Sequence, residues 1–273
     1  MDALPFAFCS SVAATLRWPS SIERGFSSGI WRTAAVDEDK RRLNCWLYFN
    51  YREGGGWSYD IRPAKVWTFF KLNKLNRRDL RILFVNMHDS PCSYNCSFEE
   101  ILEIANYTLP CVNMGVLLVY DTLQFPQEDL LKLLSIYENS AFSTIFTARC
   151  HPPVFDFLLP HMTSELLDKL TIVGAACSPS LKEAVREAAL HQQLRNLRFE
   201  VDSAEIDLDF LEEMFHKPVA QRQWYHFKFS FDQSALNDFK REWRTSTTTD
   251  LIEWKRPDGV RFELDHNLQF SSW

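Results

Sequence analysis

The chain has 273 residues, 46% of them hydrophobic, and a formal net charge of -6. That much apolar material over this length builds a full core and excludes a disordered chain, while an acidic balance without a sustained basic run excludes a nucleic-acid groove. Seven scattered cysteines, an odd number, argue against a disulfide framework and for a reducing cytoplasmic or nuclear setting.

Residues 1–43 read as short helices. Phe6, Cys9, Val12 and Leu16 share one side of the first, and Ile22, Phe26, Ile30 and Trp31 continue after a break at Pro19. Asp2 and the lack of preceding basic residues make 3–16 a buried helix rather than a secretory leader. No run reaches the length of a membrane span. A module of about 40 residues is too small to stand alone and should dock on a partner or on the next unit.

Residues 44–79 hold a β-hairpin and a connecting segment. Cys45, Leu47 and Phe49 alternate with Trp46, Tyr48 and Asn50, then Gly54, Gly55 and Gly56 turn the chain into 57–61. No Lys-Ser/Thr pair follows the glycines, so they make a turn and not a phosphate loop.

From 80 to 245 a β-then-α unit recurs about every 27 residues, a period in the range of solenoids. Short runs rich in β-branched or aromatic residues lie at 80–85, 116–120, 143–147, 170–173, 197–201 and 225–231. Helical spacing occupies 98–107, 126–137, 164–169, 180–191, 207–216 and 234–243. Ser97 with Glu100 and Ser180 with Glu183 fit the capping box that opens a helix. Right-handed crossovers then predict a one-layer parallel sheet backed by helices.

Leu167-x-x-Leu170-x-Ile172 and Leu194-x-x-Leu197-x-Phe199 approach the leucine-rich signature, though Ala175 and Asp202 stand where Asn or Cys is usual. The expectation is an α/β fold, a leucine-rich-repeat-like βα solenoid. A doubly wound α/β domain also alternates strand and helix but buries both sheet faces. Polar residues alternate strictly in 197–201 and 225–229, so one face should meet water. If Ile145, Ile172, Phe199 and Phe227 point inward, then Thr144, Phe146, Thr171, Val173, Arg198, Glu200, His226 and Lys228 form the exposed ladder. The loops 86–97, 121–126 and 148–153 should border it.

Residues 246–273 form a capping hairpin, with 251–255 and 260–264 flanking Pro257-Asp258-Gly259.

Chemistry-bearing clusters resolve into structure. Cys92, Cys96 and His88 lack the second pair of a zinc site. Cys150 and His151 are adjacent and should point apart, and the carboxylates Glu205, Asp207, Asp209, Glu212 and Glu213 suit a helix start. No catalytic residue, cofactor or metal is expected. The rival from another class is a hydrolase or transferase with its site in the post-strand loops, where Cys92, Cys96, Cys150 and His151 would gather. A structural repeat protein is the third reading.

Leu4-Pro5, the apolar positions Val12 and Leu16, and Trp31 followed by Arg32 resemble a degenerate F-box. With the α/β body behind it, the chain resembles nematode-type proteins that join an F-box-like start to an F-box-associated or leucine-rich-like domain. The resemblance implies a Skp-type adaptor and cullin-RING ubiquitin ligase as partners, Leu4, Pro5 and Trp31 as adaptor-facing residues, and a body that captures a protein substrate.

Overall fold

A computed structural model of the chain describes residues 8, 9, 12, 29–41, 43–62, 80–88, 92–175, 178–190, 194–201, 212, 213, 216, 224–228, 244–247, 251–255, 257 and 261–265. Helix α1 (Gly29–Arg41) leads into the hairpin β1 (Leu43–Arg52) and β2 (Gly56–Arg62). Then come β3 (Leu80–Met87), β4 (Tyr94–Cys96), α2 (Phe98–Thr108), β5 (Val112–Tyr120), α3 (Gln127–Ile136), β6 (Phe142–Ala148), α4 (Pro153–Met162), β7 (Lys169–Ala175), α5 (Pro179–Leu190) and β8 (Asn196–Val201). The described chain ends with β9 (Trp224–Lys228), β10 (Arg244–Thr247), β11 (Leu251–Lys255) and β12 (Arg261–Asp265). The readings of 207–211, 214–215, 229–231 and 234–243, and those on Phe6, Leu16, Ile22 and Phe26, lie outside the described residues, and no described helix is long and apolar enough to cross a membrane.

All these strands join one sheet in the order β10-β11-β12-β9-β8-β7-β6-β5-β3-β1-β2-β4. Its centre is a parallel stretch of eight strands, β1 through β12, in which β3, β5, β6, β7, β8 and β9 pair in chain order. Both hairpins belong to this sheet. β1 pairs in parallel with β3, so 44–62 continues the ladder rather than standing apart, and β12 pairs in parallel with β9. Two strands were not expected: β4, inside the stretch read as the loop 86–97, pairs with β2 at one edge, and β10 pairs with β11 at the other.

One face of the sheet carries the core. Leu117, Ile145, Leu170 and Leu197 are laterally paired, as are Val119, Thr147, Ile172 and Phe199, and all eight are fully buried. Ile145 and Ile172 both point into the core but sit in different lateral rows, Ile145 beside Leu170, and a shift of two residues keeps every side chain on its face and leaves no trace in the alternation.

The helices bury stripes against that face. Ser97 Oγ accepts from Glu100 N at 3.2 Å and Ser97 N donates to Glu100 Oε2 at 2.9 Å, closing the capping box of α2. The stripe is Ile101, Ile104, Ala105 and Thr108. Leu130, Leu133 and Leu134 serve in α3, and Leu181, Val185, Ala188 and Ala189 in α5. Ser178, two residues before Ser180, caps α5 by accepting from Leu181 N at 3.1 Å, with Pro179 at the first helical position, where its missing N–H costs nothing.

Helix α4 also displaces a reading. The segment 164–169 is not helical, while 153–162 is, with Val154, Phe155, Leu158 and Met162 as its buried stripe. Its last turn holds His161, buried between Phe142 and Phe157 at ring distances of 5.5 and 5.0 Å, with Nε2 unpartnered. Burial pushes its pKa below the ordinary 6.5, against a smaller upward pull from Glu138 and the Ser140 backbone. The folded chain therefore prefers the neutral ring, and His161 contributes stability that is complete above the unfolded-state pKa of about 6.5 and is lost as pH falls below it. Urea denaturation at about pH 7, 6 and 5 should show the wild-type midpoint dropping further than that of His161→Phe, which removes this titration. Parallel profiles would refute it.

The strands end in a repeated corner. Asp121, Arg149 and Gly174, which follow the paired Tyr120, Ala148 and Val173, all take positive φ, at 54°, 51° and 68°. Asp121 N donates to Ala148 O at 3.0 Å and Arg149 N to Val173 O at 3.2 Å, so each corner is tied to the next repeat. Buried Thr122 and Cys150 come next, and Cys150 Sγ donates to Val119 O at 3.0 Å.

Candidate functional site

The sheet face away from the helices is the candidate site. Its residues alternate with the core positions and stay outside the core cluster: Trp46, Tyr48, Phe84, Val116, Leu118 and Phe146 are absent from it, although large and apolar. Trp46 is 44% exposed on this face, whereas the polar positions Asn50, Ser58, Asp60, Asn86 and His88 on the same face of β1, β2 and β3 are buried.

Aromatic rings run laterally across this face. Trp46 meets Phe84 at 5.1 Å, Tyr48 meets His88 at 5.6 Å, His88 stacks on Tyr120 at 5.3 Å, and Tyr120 meets Phe146 edge-on at 6.0 Å. The Arg62 guanidinium lies 4.6 Å from the centre of the Tyr48 ring, a cation–π contact that closes the strip at the β2 end. Burial pushes the Tyr48 phenol up, and Arg62 works against that shift. His88 is held from behind, its N donating to Phe49 O at 3.1 Å and its O accepting from Asn50 Nδ2 at 2.7 Å.

The expected ladder lies on this face in adjacent register. Phe146 pairs with Thr171, Arg198 and His226 in turn, Val173 with Glu200 and Lys228, and Thr144 with Lys169. For His226 and Lys228 the strand position alone is described. Glu200 differs from expectation: it is only 8% exposed and accepts from Arg198 Nε at 2.6 Å. It orients Arg198 instead of offering a free carboxylate, so Glu200→Arg is not a neutral surface change.

Trp46, Tyr48, Phe84, His88, Tyr120 and Arg62 were missing from the expected ladder. Their signal was present, since 45–49 carries large apolar residues at both parities, which no one-sided strand needs for its core. Of the bordering loops, 121–126 is a loop, 148–153 runs from the end of β6 into the start of α4, and 86–97 contains β4.

Other candidates are dispersed. Cys150 is buried, with its thiol pushed up to about 11 by burial, and bonds the Val119 carbonyl; His151 Nε2 sits 3.3 Å from Phe125 O. A protonated thiol and a ring engaged elsewhere do not make a nucleophile and its base. Burial likewise pushes Cys92 and Cys96 up to about 12. Among the described residues no group of three or more metal-ligating side chains comes together. Glu213 pairs with Arg186 at 2.5 Å, while Glu205, Asp207 and Asp209 lie outside the described residues.

At the N-terminus, Trp31 is buried at 8% exposure with Cys9 and Ala34, in a cluster separate from the main core, and Phe8 meets its ring edge-on at 6.2 Å. Leu4 and Pro5 lie outside the described residues. Compared with protein-family models, curated proteins and solved structures, the chain finds no match.

Proposed function

We propose that this chain is a protein-binding scaffold, a leucine-rich-repeat-like βα array whose uncovered sheet face receives another polypeptide. The observation that carries the reading is the aromatic strip from Tyr48 to Phe146, left outside the core on a sheet whose other face is fully packed. Half-buried Tyr48, Tyr120 and Phe146 flank buried His88 in this strip, with exposed Trp46 beside it and Arg62 at its end, and clustered aromatic side chains with arginine are the composition of binding hot spots.

Chain-order pairing supports the repeat reading, because each βα unit then buries its apolar face only by stacking on the next. So does the corner. Phe142-x-x-Ile145-x-Thr147-x-x-Cys150 places cysteine where the leucine-rich signature has Asn or Cys, and its thiol satisfies a carbonyl of the preceding strand. The hydrolase or transferase reading draws no support from Cys150 and His151, which engage separate carbonyls.

The proposal extends to a ligase role, with the N-terminal helices as an F-box-like module on a Skp-type adaptor. It rests on the resemblance of residues 1–31 and on the separateness of the Trp31 cluster. Affinity purification that asks for adaptor and cullin tests this part.

For the open face, Trp46→Asp with Phe146→Asp should reduce capture of partner protein at least tenfold, about 1.4 kcal/mol of binding. Lys132→Glu, an exposed change on α3, should leave capture intact. Quantitative pull-down with the full chain reads both. Equal loss in the two variants, or loss in neither, refutes the assigned face.

A further inference from the structure

We infer that the segment held by this face is an acidic polypeptide with an apolar anchor, laid across the strands. The inference rests on the reading of the open face as the binding surface and adds the chemistry of what binds there. Along the row nearest the N-terminal ends of the parallel strands, paired positions run from Arg62 through Trp46, Phe84 and Lys169 to Arg261, and none of the described positions in it is a carboxylate. Lys169 is exposed and has no ion pair among the described residues.

Carboxylates do occur on this face, but they lie beneath the cations. Arg62 is 56% exposed over Asp60 at 9%, Arg198 47% over Glu200 at 10%, and Arg261 51% over Glu253 at 18%. Asp60 and Glu200 each hold one guanidinium and leave further donors for a second carboxylate, whereas Arg261 already holds two, Glu253 and, at 3.3 Å, Glu263. An overall charge of -6 makes the contrast sharper, since the bulk of the surface repels an acidic chain and this row does not.

Spacing gives the ligand a length. Neighbouring strands stand about 4.8 Å apart, which separates Arg62 from Lys169 by about 24 Å and Lys169 from Arg261 by about 14 Å; an extended segment rising about 3.3 Å per residue covers these in about seven and four residues. The Trp46–Phe84 pair lies between the first two cations and takes the apolar anchor. Cations this sparse do not track a nucleic-acid backbone, which carries a phosphate about every 3.4 Å of duplex on each strand.

Panning a random 12-residue peptide display library on the full chain tests this. Enriched sequences should be net acidic with an apolar residue between the acids. Lys169→Glu and Arg261→Glu should each cut binding of the enriched peptides at least fivefold, and added salt should weaken it. Net basic or neutral enriched sequences, no enrichment, indifference to both charge reversals, or displacement of the peptides by oligouridine at equal concentration would each overturn the inference. If protein capture still depends on Trp46 and Phe146 in that event, only the acidic segment fails. If that dependence is absent too, the open-face reading fails with it.

Discussion

Phe199→Ala is expected to remove about 3–5 kcal/mol of stability, the range for emptying an aromatic site in a packed core. Phe199 is fully buried, at a central strand position paired with Ile172 on one side and with position 227 on the other. Phe146→Ala deletes the same side chain two strands away on the other face, where partial exposure limits the expected loss to under about 1 kcal/mol. Urea denaturation of the two variants gives the comparison. A sheet covered on both sides would make the losses similar, so the asymmetry tests the open face without any partner. An intermediate cost for Phe199→Ala confined to one part of the unfolding curve would instead indicate that repeats melt separately, since stacked units couple only to their neighbours.

That asymmetry was legible in the strands because alternation with period two is a local property. Leu197-Arg198-Phe199 states its two faces without help from the rest of the chain. Lateral register was not legible: Ile145 beside Leu170 and Ile145 beside Ile172 place the same faces inward, and only the packed neighbours choose between them. The short edge strands β4 and β10 were hidden for a related reason. Three or four residues carry too little pattern, and their pairing with β2 and β11 is tertiary. Helix α4 is hidden for a different reason: Pro152-Pro153 reads as loop, although proline suits a first helical turn and Val154, Phe155, Leu158 and Met162 mark the stripe. For the site, treating the glycine hairpin as a separate module removed Trp46 and Tyr48 from the face. The parallel pairing of β1 with β3, a non-local contact, puts them back.

Trp31→Ala separates two accounts of the N-terminus. Trp31 is buried with Cys9 and Ala34 beside Phe8, with Val12 and Ile30 packed against that cluster. Emptying that site should cost the small cluster about 3–5 kcal/mol, more than so few contacts can supply elsewhere. Because the cluster is distinct from the main core, the loss should be local: hydrogen exchange in 29–41 should rise steeply while exchange in β5 to β8 stays near wild type. A global fall in protection would make the helices a cap on which the sheet depends. The ligase proposal adds a separate requirement. Wild-type chain must bring down a Skp-type adaptor, and Trp31→Ala must release it by unfolding its platform, since a tryptophan this buried offers little surface of its own to a partner. An exposed-surface change on α1 such as Arg32→Glu, which leaves exchange in 29–41 unchanged, then reads the contact itself. Adaptor lost with Arg32→Glu marks α1 as the docking helix, whereas an adaptor missing from the wild-type eluate removes the ligase role and leaves the open sheet face as the protein's working surface.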